Sequence, residues 1–144
     1  MQSTPFRILI ADDDVEDIQL TKECLQDYSL AVDVHNVEDG QYLIDLLKGT
    51  EEYFGWKELP QLIFLDINMP RKDGFQALKE IKEDLTLCKI PVIMFTTSMA
   101  PRDIERAYEL GANCYVTKPQ TVQEWCKIVE DLGRFWIECV KLAV

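Results

Sequence analysis

The chain has a single histidine, His35, and no apolar run of the length a membrane requires. A spanning helix needs roughly 20 apolar residues, and the run that starts at Ile8 is broken at once by Asp12, Asp13 and Asp14. Met1 to Arg7 lacks the basic stretch and apolar core of a secretory leader. Basic residues are few: 15 Lys and Arg against 26 Asp and Glu leave a formal net charge of -11. That charge argues against nucleic acid or an anionic membrane as a partner, because both are themselves negative. The five cysteines, Cys24, Cys88, Cys114, Cys126 and Cys139, are odd in number and contain no C-x-x-C pair. Neither a zinc site nor a disulfide framework is therefore expected, and the expectation is buried free thiols in a cytoplasmic protein.

What is present suits one domain. The 144 residues, 47% of them hydrophobic, provide a core of ordinary size. A single domain over 1–144, with no linker and no output module, is the expectation. Short apolar runs alternate with amphipathic stretches. Phe6–Ala11, Leu62–Leu65, Pro91–Phe95 and Asn113–Thr117 read as strands, and Ala31–Asn36, with Val32 and Val34 alternating against Asp33 and His35, reads as a half-exposed edge strand. Helical spacing follows each strand. It begins at Asp14 (Val15, Ile18, Leu25), covers Glu38–Lys48 (Leu43, Ile44, Leu47), and marks Phe75, Leu78, Ile81 and Leu85. Pro101–Leu110 reads as a helix stopped by Gly111, and Thr121 to about Leu142 as a long final helix. Gly49–Pro60 reads as a polar connection.

Five β/α repeats predict a parallel sheet with helices on both faces, a doubly wound α/β fold. Such sheets bind ligands beyond the carboxyl ends of their strands. The residues at those ends are Asp12 and Asp13, Asp66, Thr96 and Lys118. Three carboxylates at one point repel one another unless a cation joins them. Mg2+ prefers oxygen ligands and often bridges a carboxylate to a phosphate. Lys118 offers a point charge for a phosphoryl oxygen, Thr96 offers a hydroxyl, and a carboxylate can act as the nucleophile. The set fits phosphoryl transfer. Each piece alone has an ordinary structural explanation: Asp12–Asp14 as a helix cap, Asp66 with Asn68, Pro70, Asp73 and Gly74 as a turn plus cap, Thr96 as packing, Lys118-Pro119 as a turn. Their order and common placement at strand ends make the combination specific.

At these residues the chain resembles the receiver domain of two-component response regulators. The matching stretches are Ile8-Leu-Ile-Ala-Asp-Asp-Asp14, Leu62-Ile-Phe-Leu-Asp-Ile-Asn-Met-Pro70 with Asp73-Gly74, Pro91-Val-Ile-Met-Phe-Thr-Thr-Ser98 and Gly111-Ala-Asn-Cys-Tyr-Val-Thr-Lys-Pro119. Thr96–Pro119 and the Phe135-Trp136 end are most similar to small stand-alone regulators found beside phytochrome-type histidine kinases. The resemblance implies a (βα)5 flavodoxin-like fold with strand order 2-1-3-4-5 and a switch phosphorylated on Asp66 by a histidine kinase. It implies Mg2+ held by Asp13 directly, by Asp12 through water, by Asp66 and by the backbone carbonyl of Asn68. Thr96 and Lys118 would hold the phosphoryl oxygens, Lys118-Pro119 would be a cis peptide, and Tyr115 would rotate inward as Thr96 moves. Thr97, where many receivers carry a smaller residue, and Ala11, where a larger aliphatic is frequent, depart from the common pattern without removing a reactive group. His35 is expected to be an ordinary edge-strand residue. A receiver that only binds a partner would lack one of the reactive residues. An aspartyl-nucleophile phosphatase would carry a second aspartate two residues after the nucleophile, where Asn68 stands.

The final helix carries two apolar stripes, Val122, Trp125, Val129, Leu132, Trp136, Cys139 and Ala143 on one, Ile128, Phe135 and Leu142 on the other. One stripe suffices to pack the helix on the sheet, and a helix of this length would overhang it. A homodimer through the C-terminal helix is expected, the alternative being that the second stripe packs under the first helix or a loop; Gly133, a glycine within the helix, could kink or end it.

Overall fold

Apolar strand residues alternate between two faces, and in this chain both faces are covered. Ile8, Ile10, Leu62, Phe64, Ile93 and Phe95 point to one side; Leu9, Ala11, Ile63, Leu65, Val92 and Met94 point to the other, and all are buried. Continuous apolar strands follow from that double burial. In the computed structural model, which describes residues 4–27, 31–49 and 55–143, the strands are β1 (Phe6–Ala11), β2 (Val32–Val37), β3 (Leu62–Leu65), β4 (Val92–Thr96) and β5 (Cys114–Thr117). They form one parallel sheet in the order β2-β1-β3-β4-β5. This is the doubly wound, flavodoxin-like architecture expected. The expected connection Gly49–Pro60 lies partly outside the described residues, as do 1–3 and Val144.

The helices are α1 (Val15–Gln26), α2 (Gly40–Lys48), α3 (Gly74–Glu83), α4 (Pro101–Glu109) and α5 (Val122–Gly133). Their starts are chemically marked. Asp14, Asp39, Asp73 and Thr121 each cap a helix by accepting backbone N–H bonds. Asp73 and Gln76 complete a reciprocal capping box on α3. Helices α1 and α5 lie on one face over Ile18, Leu25, Trp125 and Val129; α2, α3 and α4 cover the other over Leu43, Leu47, Leu78 and Ile81. Each fully buried Leu, Ile or Phe contributes about 1.5–3 kcal/mol. Among the described residues no helix is long and apolar enough to cross a membrane.

Four expectations need correction. Helix α3 ends at Glu83, so Leu85 is not on it and is 89% exposed. The final helix does not run to Leu142. It passes at Gly133 into a π-helical segment, Arg134–Cys139, and Val140 is extended. The two stripes are cut short accordingly. Trp125, Val129, Leu132 and Trp136 pack inward, Ile128 also packs against the core, and Val122, Cys139 and Ala143 are exposed. Leu142 lies beyond the helix, leaving Phe135 as the exposed large apolar residue of the second stripe. Cys24 of α1 and Cys126 of α5 are joined in a disulfide, against the expectation of free thiols, because two helices far apart in sequence meet side by side; Cys88, Cys114 and Cys139 are free. The Lys118-Pro119 bond is trans, the form X–Pro bonds prefer by about 0.5–1 kcal/mol.

Candidate functional site

The carboxyl ends of β1, β3, β4 and β5 converge on one cluster. Asp12 and Asp13 follow β1, Asp66 follows β3, Thr96 ends β4 and Lys118 follows β5. The carboxylate oxygens of Asp12, Asp13 and Asp66 lie within 4.8 Å of one another. Asp12 and Asp66 are buried while Asp13 is exposed. The backbone sets these positions: Asp12 N–H continues the β1–β2 ladder onto Val37, and Asp66 N–H continues the β1–β3 ladder onto Ala11. Lys118 N–H bonds the Thr96 carbonyl at 2.7 Å, which carries the lysine to the same end of the sheet.

The lysine ammonium binds the acids together. Lys118 Nζ donates to Asp12 Oδ2 at 2.7 Å, to Asp17 Oδ2 at 2.7 Å and to Asp66 Oδ2 at 3.0 Å. All three donors of the ammonium are thereby used. The remaining oxygens are held by backbone: Asp12 Oδ1 accepts from Asp14 N–H and Asp66 Oδ1 from Ile67 N–H. Burial opposes the Lys118 charge, but the bonds to Asp12 and Asp17 outweigh it and hold the amine protonated above its ordinary range. Burial pushes the Asp12 carboxyl up to about 6, with Lys118 acting against the shift.

Close backbone approach shapes the rim. The loop from Asp66 to Asp73 folds back so that Gly74 N–H bonds the Ile67 carbonyl at 2.6 Å. A Cβ at Gly74 would run into the Asp66 carbonyl oxygen, so only glycine fits there. Asn68, exposed, sits in this loop two residues beyond Asp66. Asp73, part of the same expected signature, caps α3.

Thr96 is buried, and its hydroxyl oxygen has no hydrogen-bond partner among the described residues. A buried hydroxyl without a partner is costly. Tyr115, on β5, is half-buried; its hydroxyl donates to the Ser98 carbonyl at 2.9 Å, and its backbone N–H donates to the Tyr108 hydroxyl at 3.0 Å. Burial raises the Tyr115 phenol. Thr97 is exposed beside the site, and Ala11 is buried beneath it.

The fold thus brings together Asp12, Asp13, Asp66 and Lys118, with Thr96 at the end of the adjacent strand. It also brings in Asp17, which sequence reasoning did not single out. A signal for it exists: Asp17 is the third residue of a helix whose cap, Asp14, follows the acidic strand end, so the first turn carries it back over the cluster. His35 lies away from the site on β2, bonded to Asp33 beside Trp56.

A donor set made wholly of carboxylate oxygens, with three acids packed together, suits a hard divalent cation. Comparison with known proteins points the same way. The family model for the response regulator receiver domain matches residues 8–130. Response regulator Rcp1 of Synechocystis sp. (strain ATCC 27184 / PCC 6803 / Kazusa) is 36% identical over 138 residues, 96% of this chain and 93% of Rcp1. The phosphorylated cyanobacterial phytochrome response regulator RcpA superposes with a TM-score of 0.90 at 35% identity, over 98% of this chain and 100% of that one. The Mn(2+)-bound form of Rcp1 superposes with a TM-score of 0.88 at 34% identity, over 97% and 100%. Family model, relatives and sheet topology agree: the chain belongs to the response regulator receiver domain family and is related to the phytochrome response regulators.

Proposed function

We propose that this protein is a signalling switch phosphorylated on Asp66. The observation that supports this reading best is the cluster itself, three carboxylates within 4.8 Å, two of which, Asp12 and Asp66, share one buried ammonium. A carboxylate oxygen of Asp66 forms a bond to phosphorus while the bond from phosphorus to the donor's histidine nitrogen breaks and the imidazole leaves with its electron pair. Lys118 is already within hydrogen-bond reach of Asp66, so its charge stands ready for the phosphoryl oxygens. The unpartnered Thr96 hydroxyl gains an acceptor when those oxygens arrive. Asp12, Asp13, Asp66 and the backbone carbonyl of Asn68 would hold Mg2+. When bound, that ion neutralises the crowded carboxylates and the charge of the transferring group.

The donor is a histidine kinase, and the relationship to Rcp1 and RcpA favours one of phytochrome type. The output runs through Thr96 and Tyr115. Phosphorylation adds roughly -1.5 to -2 charges, which draw in Thr96 and let the Tyr115 ring settle behind it. The Tyr115–Ser98 bond makes the loop after β4 part of the movement. A twofold dimer around Phe135, 53% exposed in the π-helical segment after α5, is a second output we propose.

Incubation with acetyl phosphate and Mg2+ tests the chemistry. Intact-mass spectrometry should show one added phosphoryl group on the wild type and none on Asp66→Asn or in EDTA. Full labelling of that variant, or of the wild type in EDTA, would overturn the assignment.

A further inference from the structure

Helix α1 carries three residues on one face, Asp17, Thr21 and Cys24, at the i, i+4 and i+7 spacing of a helix. Each meets a different partner, two on α5 and one in the connection that precedes it. Cys24 is bonded covalently to Cys126. Thr21 accepts a hydrogen bond from Trp125 Nε1 at 3.0 Å, a buried contact. Asp17 accepts from Lys118 Nζ at 2.7 Å. The first two anchor the helix, and the third is where that anchored helix touches the reactive cluster.

Asp17 differs from the other acids on Lys118. It does not share the 4.8 Å cluster formed by Asp12, Asp13 and Asp66, so the cation-binding role proposed for those three does not require it. It is half-buried, where Asp12 and Asp66 are buried. Its bond to the ammonium is nonetheless as short as that of Asp12 and shorter than that of Asp66. A carboxylate so placed takes one of three donors and part of the positive charge that a phosphoryl group on Asp66 would use.

Resting on the phosphorylation reading of Asp66, we propose that Asp17 is a positioning residue that acts through Lys118: it holds the ammonium toward α1 and withholds part of its charge from the phosphoryl group, setting how strongly the site retains that group. The disulfide and the Thr21–Trp125 bond keep α1 where this competition is possible. A merely supportive Asp17 would act with the opposite sign, because its loss would then loosen Lys118 and weaken phosphoryl binding.

Titration with beryllofluoride, a phosphoryl stand-in, in excess Mg2+ reads the effect directly. Tryptophan emission is a suitable signal, since Trp125 bonds the helix that carries Asp17. Wild type should saturate. Asp17→Asn should reach half-saturation at a concentration about threefold to tenfold lower, the size expected for removing one partly screened charge a few ångströms away. Asp17→Ser should shift the same way, and Asp17→Glu, which keeps the charge, should return most of the way to wild type. Thermal melts without beryllofluoride confirm that each variant is folded. Equal or weaker binding by folded Asp17→Asn or Asp17→Ser, with a saturating wild type, overturns the proposal and leaves the phosphorylation reading standing. A wild type that does not saturate, or an Asp66→Asn variant that titrates like wild type, overturns both.

Discussion

The two flanks of the sheet are built differently around the same carboxylates. On the α1–α5 flank three side chains of α1 are paired: Cys24 with Cys126, Thr21 with Trp125, Asp17 with Lys118. On the α4–β5 flank, helix α4 buries only Ala107 and starts without a side-chain cap. The Thr96 hydroxyl beside it is buried without a partner. One flank is anchored covalently and by hydrogen bonds; the other holds few buried contacts and one unmet polar group. Local opening and rearrangement draw on the least secured elements. If Asp66 is phosphorylated as proposed, this difference would let the added charge act on one side and leave the other in place.

The largest test of that contrast removes the covalent tie. The bridge spans a sequence separation of 102, and closing a loop of that size in the unfolded chain contributes about 3–5 kcal/mol. Cys24→Ala with Cys126→Ala, or reduction by a small dithiol, should lower the denaturation midpoint accordingly. An unchanged midpoint would show that the α1–α5 flank is not secured this way.

Two threonines give a sharper comparison. Thr21→Val leaves the buried Trp125 N–H without its acceptor and should cost about 1–3 kcal/mol. Thr96→Val removes a hydroxyl that has no partner and should leave the resting protein unchanged or more stable by about 1 kcal/mol. Urea denaturation of the metal-free variants reads both, and equal losses would erase the contrast between flanks.

The cluster between the flanks should respond to pH. Asp12 ionises at about 6 in the folded chain, above its ordinary value of 3.8, because burial disfavours its charge. Below pH 4 it is protonated in both states and costs nothing. As pH rises through the window from about 4 to about 6, the unfolded chain gives up the proton first, so metal-free stability falls, by about 1–3 kcal/mol. Asp12→Asn should remove that slope and stabilise the metal-free protein at neutral pH; melts across this range that show no difference would contradict it. The smallest expected effect is at the surface. If Phe135 mediates a dimer, Phe135→Asp should leave stability within about 0.5 kcal/mol and convert the light-scattering mass to that of a monomer. A wild type monomeric at every concentration would rule the dimer out.

Local physics made much of this protein legible from its residues. Apolar strands ending in acids, and apolar residues at helical spacing after each strand, led to the five-stranded parallel sheet. Because ligands of such sheets gather at the strand ends, Asp12, Asp13, Asp66, Thr96 and Lys118 could be singled out as one group before their distances were known. Tertiary structure decided the rest. Spacing of 102 residues cannot show that Cys24 and Cys126 share a seam; only the packing of α1 on α5 brings them together. Heptad spacing could not foresee that the final helix changes to π geometry at Gly133 and stops at Cys139, since periodicity records which face is apolar and not where backbone hydrogen bonding shifts. Nor could it reveal Asp17 on Lys118 or the unpartnered hydroxyl of Thr96, because hydrogen-bond satisfaction depends on which side chains the fold places within reach of one another.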